Sequence, residues 1–336
     1  MNTSRKACMI GMLSLVILAG IFFAGCTSQP QTAPVTPSPA ATPVPATTVA
    51  ATPTPVIHSP NTLLIATTTS LYDTGLLNAV QDYYQNKTGI NLKITSQGTG
   101  IAIQVATRGD CDLLLVHSPS QEKAFIDQGL GVNQRCFAYN YFEIVGPASD
   151  PAGIVNLTPE AAFTKIRVLG LNNTPGIFFA SRGDQSGTQT AEINIWTKAG
   201  FNYTKDVATS GAWYLSLGQG MGATLQTASQ KGAYTLTDEG TFLAYKSQLN
   251  LVPLITKGGS LLNRYSAIAV NSSVNPNVNI VQADRFINWL ISDDGKAFVG
   301  NYGKDKYGKS LFTPLTSDIC MVTPFNCTCT GSVSPI

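Results

Sequence analysis

Between Asn61 and Leu315 the chain alternates short apolar runs with helical patterns, and that alternation admits few folds. The strand-like runs are LLIA from Leu63, INLKIT from Ile90, CDLLLVHS from Cys111 and FEIVG from Phe142, followed by GIFFAS from Gly176, AYTLT from Ala233, LVPLI from Leu251 and YSAIAV from Tyr265. Between several of them apolar residues recur at helical spacing: Leu76, Leu77, Val80 and Tyr84, then Met221, Leu225 and Ala228, then Phe286, Ile287 and Leu290. Short, nearly continuous apolar strands separated by amphipathic helices predict open α/β sheets covered on both faces. The length of this region, about 250 residues, divides best into two moderate units.

The rest of the chain has a different character. Arg5 and Lys6 precede an apolar run from Met9 to Ala24 that ends at Gly25 and Cys26. The stretch FFAGC resembles a lipoprotein processing box, which makes residues 1–26 a signal peptide and Cys26 the lipid-bearing residue. A run of that length also reaches across a bilayer as an uncleaved anchor, so the anchor is lipid or transmembrane. Either way the chain is expected outside the cytoplasmic membrane, held at its outer face. Residues 27–60 are Pro, Thr and Ala without charge or period and read as a disordered tether. Charged residues make up 12% of the chain and the net charge is +2, so no basic field exists to neutralise nucleic-acid phosphates.

The stretch ATTTSLYDTGLL sets Thr67, Thr68, Thr69 and Ser70 at the carboxyl end of a strand, just before a helix. Open α/β sheets bind ligands at that end, where helix amides are unsatisfied and favour negative charge. Three further openings repeat the chemistry: SQGTGIAIQVATRGD with Gly98 and Gly100, SRGDQSGTQTAEINIW from Ser181, and LGQGMGATLQTA from Leu217. Familiar alternatives fail. There is no GxxxxGK[ST] phosphate loop, GTGIAI lacks the third glycine of the dinucleotide fingerprint, and SRGDQSG is not a GxSxG elbow. The two histidines are His58, in the expected tether, and His117, which reads as a hydrogen-bonding residue between elements. No His, Cys and Asp cluster has metal spacing. The reading is therefore of a binding protein, not an enzyme, with no cofactor and no metal.

The ordered segments ATTTSLYDTGLL, RGDCDLLLVHSP, GLGVNQR, YNYFEIVGP, SRGDQSGT, GQGMGATL, YTLTDEGTFLAY and LLNRYSAIAVN resemble the tungstate-binding solute receptors of ABC importers, within the periplasmic-binding-protein superfamily. Cys111, Gln134 and the tail after Leu315 depart from that pattern. The resemblance implies an α/β, two-lobe fold with a ligand cleft between the lobes, and permease and ATPase partners. Lobe one would take residues 61–145 and 264–315 and lobe two residues 146–263, with crossings near Val145 and before Arg264, leaving 316–336 as a cysteine-containing tail. It also implies that tungstate or molybdate lies against Ser70 and Arg182, with Ser186, Thr188 and Thr224 beside them, and donor chemistry adds Thr68, Thr69 and Gly187 to the set. A tetrahedral dianion only accepts hydrogen bonds, so neutral hydroxyls and amides with one guanidinium suit it. The competing reading of Arg182 is a surface ion pair with Asp184.

Asp73, Asp184 and Asp238 would repel an anion directly and are expected behind the donors, fixing loops, while Trp213, Tyr214 and Tyr234 pack lobe two. Cys111 and Cys136 read as buried apolar residues. A Cys320–Cys327 disulfide with Cys329 odd is one reading of the tail, and a soft-metal site is the alternative. The second function compatible with this fold is a membrane-tethered sensing or recognition module.

Overall fold

The computed structural model describes residues 58–321, 323 and 326–334. The expected signal peptide, Cys26 and most of the expected tether lie outside the described residues. Ten strands are formed among the described residues: β1 (Thr62–Thr68), β2 (Asn91–Gln97), β3 (Leu113–Val116), β4 (Gly131–Pro147), β5 (Phe179–Ser181), β6 (Tyr214–Ser216), β7 (Tyr234–Asp238), β8 (Leu251–Ile255), β9 (Leu262–Val270) and β10 (Thr313–Pro314). Hydrogen bonding runs in the order β2-β1-β3-β9-β4-β7-β5-β6, with β8 and β10 also on β4.

β4 belongs to two sheets. Gly131 to Tyr141 pairs with β9, whereas Phe142 to Pro147 pairs with β7 and β8. The change of sheet falls between Tyr141 and Phe142, slightly before Val145, and the chain returns at Leu262. The first sheet carries parallel β2, β1 and β3 and the second parallel β6, β5 and β7, each closed by antiparallel partners. These two sheets are the bodies of the two lobes.

Period-two alternation places the core. On β1, Leu63 and Ile65 enter one cluster with Leu113, Leu115 and Phe286, while Ala66 enters the opposite one with Leu114, Val116 and Phe125. In the second lobe Phe142, Ile144 and Leu236 pack with Phe163, Phe179 and Trp196, and Val145 and Ala180 with Leu225 and Phe242. Helices cover these faces: α1 (Thr69–Asp73), α2 (Leu76–Thr88), α3 (Thr99–Thr107), α4 (Pro119–Asp127), α5 (Pro159–Leu171), α6 (Gly187–Lys198), α7 (Met221–Lys231), α8 (Glu239–Tyr245), α9 (Ile280–Leu290) and α10 (Asp293–Asn301).

Three expectations are corrected. The expected strand from Gly176 is shorter: Gly176 turns at φ +77° after Pro175, and regular pairing begins only at Phe179. His58 is not in a free tether, because Nδ1 lies 2.6 Å from Asp112 Oδ1 and Nε2 3.2 Å from the Gly109 carbonyl. Asp112 also accepts from the amides of Leu64 and Asn279, so this buried carboxylate ties the chain entry to β1 and α9. Finally, the disulfides are Cys136–Cys327 and Cys320–Cys329, and Cys111 alone is free among the described cysteines. The first closes 191 residues, for which chain-entropy reasoning gives about 5 kcal/mol of stabilisation. It fastens the tail to β4, and the four sulfurs form a small cluster with Leu315.

Candidate functional site

The hydroxyl-rich turn where β1 passes directly into α1 faces the loop between β5 and α6, so residues from both lobes meet. Thr67 does not take part, since its hydroxyl donates to the Leu115 carbonyl at 2.8 Å. Thr68 caps α1 by accepting from the Leu71 amide, and its oxygen lies 3.3 Å from Ser70 Oγ. Arg182 is only 1% exposed. Its Nη2 donates to Thr69 Oγ1 across the cleft at 2.6 Å, and Nη1 lies 3.5 Å from Thr188 Oγ1. A hydroxyl that accepts from a guanidinium has its own proton free, so Arg182 turns Thr69 and Thr188 into donors toward a third group. Its Nε is buried and has no hydrogen-bond partner. Orphaned buried donors are rare and costly, so this N–H calls for an acceptor.

Asp184 pairs with Arg182 Nη2 and accepts from the Ser186 amide at 3.3 Å. The ion pair with Asp184 therefore exists, but on a buried guanidinium, not a surface one, and that guanidinium also reaches the other lobe. Ser186 caps α6, accepting from the Gln189 amide, which leaves its hydroxyl proton available. Asp73 accepts from the Gly222 amide at 3.0 Å, and Asp238 caps α8 and bonds Thr241. Burial raises both carboxylates, Asp238 to about 6, against the opposing hydrogen bonds and the Arg182 charge. All three aspartates are engaged in fixing loops.

Ser70 Oγ lies 2.9 Å from His117 Nε2, and His117 Nδ1 lies 2.7 Å from Asn263 Oδ1. Serine, histidine and an amide in sequence are also the geometry of a hydrolytic relay. Here burial pushes the imidazole down to about 4, which makes it a poor base near neutrality.

The lobes are closed upon each other. The Gly187 amide donates to Thr99 Oγ1 at 3.1 Å, the Gly100 amide to the Gln185 carbonyl at 3.1 Å, and Gln121 Nε2 to Thr190 Oγ1 at 2.9 Å. Two glycines permit this approach. A Cβ at Gly98 would sit 2.3 Å from the Asp184 carbonyl oxygen, and one at Gly187 2.7 Å from the His117 carbonyl oxygen.

The structure thus brings Thr68, Thr69, Ser70, Arg182, Ser186, Gly187 and Thr188 into one linked constellation. Thr224 is placed less directly: its hydroxyl lies 3.4 Å from the Gln219 carbonyl at the opening of α7, whose Gly220 approaches Thr69. Sequence reasoning missed Thr99, although it stands between the two glycines of SQGTG, because attention to the glycines' backbone freedom hid the hydroxyl. It also missed Asn263, which has no local motif and arrives from β9.

Residues 40–294 match the PBP superfamily domain, and the chain belongs to that superfamily of two-lobed binding proteins. It is 38% identical over 252 residues to the tungstate-binding protein TupA of Peptoclostridium acidaminophilum, covering 75% of this chain and 85% of that one. Among solved structures, the tungstate-binding protein TupA of Desulfovibrio alaskensis G20 is 39% identical with a TM-score of 0.61, covering 76% of this chain and 99% of that one. The structure titled as the tungstate ABC transporter from Geobacter sulfurreducens is 36% identical with a TM-score of 0.64, covering 73% and 100%. Within the superfamily, the chain is a member of the family these proteins represent.

Proposed function

We propose that this protein is the extracytoplasmic receptor of an ABC importer, capturing a tetrahedral oxyanion in the interlobe cleft and presenting it to a membrane permease served by an ATPase. The observation that carries this reading is Arg182, a buried guanidinium that donates into hydroxyls of both lobes and keeps one N–H unpartnered. Thr68, Thr69, Ser70, Ser186 and Thr188 supply the remaining side-chain donors, whereas the Gly187 amide is taken by Thr99 and the Thr224 hydroxyl by the Gln219 carbonyl in this closed form. Tungstate is the proposed ligand and molybdate the nearest competitor: donor chemistry supports a large tetrahedral oxyanion, and family likeness alone supports the choice between the two. The protein performs no reaction on it: binding and release follow closing and opening of the lobes.

Donors spaced for a large oxyanion leave long, weak bonds around a smaller one, and buried polar groups left unpaired are costly. Calorimetric titration of the purified protein at one pH and ionic strength should give tight, saturable binding of tungstate, with sulfate and phosphate far weaker. Displacement of tungstate by equal sulfate or phosphate would move the assignment to a different oxyanion. The receptor works at the membrane, with Cys26 as the proposed lipid attachment. Mass spectrometry of the protein from native membranes should find an N-terminus at a lipid-modified Cys26, and an intact Met1 would refute the processing.

A further inference from the structure

A chain of hydrogen bonds running in from a backbone carbonyl decides which way the Ser70 proton points. The Leu311 carbonyl can only accept, so Asn140 must turn Nδ2 toward it, at 3.3 Å. Asn140 Oδ1 then faces Asn263 and accepts from Nδ2 at 2.8 Å, the same nitrogen that donates to the Tyr265 hydroxyl. Asn263 therefore presents Oδ1 to His117, which must carry its proton on Nδ1 to donate at 2.7 Å. Neutral His117 is left with a lone pair on Nε2, and Ser70 satisfies it by donating its hydroxyl proton at 2.9 Å. Ser70, a central member of the proposed anion site, thus spends its only proton away from the cleft and offers lone pairs to it. An acceptor-only ligand cannot use them.

We propose that the Ser70–His117 pair is a proton-linked element of the anion site: His117 takes up a proton on Nε2 when the anion enters, donates it to Ser70, and so frees the Ser70 hydroxyl to donate to the anion. With Nδ1 held protonated by Asn263, a proton on Nε2 is the one change that reverses the Ser70 bond and satisfies every atom. The imidazolium also places a second positive charge beside a dianion otherwise met by the already paired Arg182. This inference rests on the receptor reading above and deepens it, making His117 a positioning residue and anion capture a proton-coupled event.

The groups around the ring are consistent with a neutral His117 before binding. The Tyr265 ring stacks on it at 5.0 Å and Phe142 lies at 6.0 Å. Of the charged neighbours on the β5–α6 loop, Arg182 disfavours the imidazolium and Asp184 favours it, with burial outweighing both. Asp238 acts on the stacked Tyr265. Lys198 and Arg264 share a cavity wall with the ring, and both are positive. The free protein therefore holds His117 neutral, and the entering negative charge shifts the balance.

The sign follows from linkage. If the complex binds one more proton than the free protein, affinity falls as pH rises, by up to about tenfold per pH unit between the free and bound titrations. The test is calorimetric titration of the purified protein with sodium tungstate at pH 7 in two buffers of different ionisation enthalpy, repeated between pH 6 and 8.5. The expected result is net proton uptake on tungstate binding and affinity rising as pH falls. The variant His117→Gln carries an amide N–H in place of Nε2 that donates to Ser70 without titrating, and it should bind more weakly with buffer-independent heat and a flat pH profile. Saturable wild-type binding without proton uptake would overturn the proposal, as would a His117→Gln variant that keeps the wild-type pH slope. Failure of the wild type to bind any tungstate would instead overturn the receptor reading, and this inference with it.

Discussion

Replacing Arg182 with alanine should weaken anion binding about thirty-fold or more while leaving the far-ultraviolet circular dichroism unchanged. Losing one partner of a buried charged hydrogen bond commonly costs about 2 to 5 kcal/mol, and the lower bound already corresponds to that factor. Two features of this site push the loss upward. The guanidinium is the donor that orients Thr69 and contacts Thr188, so its removal disorganises hydroxyls of both lobes. It also leaves Asp184 without its cation, facing a dianion. A titration of R182A that matches the wild type would remove Arg182 from the site.

The second large effect is expected at a residue with no side chain. Gly98 lies in ordinary extended backbone at φ −62° and ψ 148°, so alanine fits the first lobe without strain. Its Cβ would nevertheless stand 2.3 Å from the Asp184 backbone oxygen of the other lobe. G98A should therefore fold normally and fail to close, losing the donors of the second lobe together. A drop in tungstate affinity of about a hundredfold or more is expected, corresponding to roughly 3 kcal/mol. Small-angle scattering should find the variant extended with and without tungstate, whereas the wild type contracts. Wild-type affinity in G98A would show that capture does not need this closure.

How much of this was legible beforehand depends on how far each signal reaches along the chain. β1, β2, β3, β7 and β9 carry local apolar runs, and the hydroxyl and glycine-rich openings sit directly after or before them, so strands and site loops were readable together. The first half of β4, GVNQRCFAYNY, was not: a strand crossing between sheets changes neighbours along its length, and its burial does not follow one simple alternation. The aspartates at 73, 184 and 238 were readable as loop-fixing groups from electrostatics alone, since none can face an anion. Partners fixed by long-range contact were not readable. Cys136 and Cys327 meet only because the tail returns to β4. Asn263 reaches His117, and Asn140 reaches Asn263, from strands far apart in sequence, and no local pattern marks them. His58 looked like part of the tether by composition, and only the buried Asp112 explains why it docks.

The central claim is that an oxyanion is held between the hydroxyl loop after β1 and the Arg182 loop after β5. Anomalous scattering from crystals grown with tungstate tests it most directly, because tungsten identifies itself by its absorption edge. The account predicts a single strong anomalous peak in the interlobe cleft, with ligand oxygens within hydrogen-bond distance of Arg182 Nε and the hydroxyls of Thr69, Ser70 and Thr188. A fully occupied peak elsewhere, or a closed cleft without tungsten at saturating concentration, would contradict it.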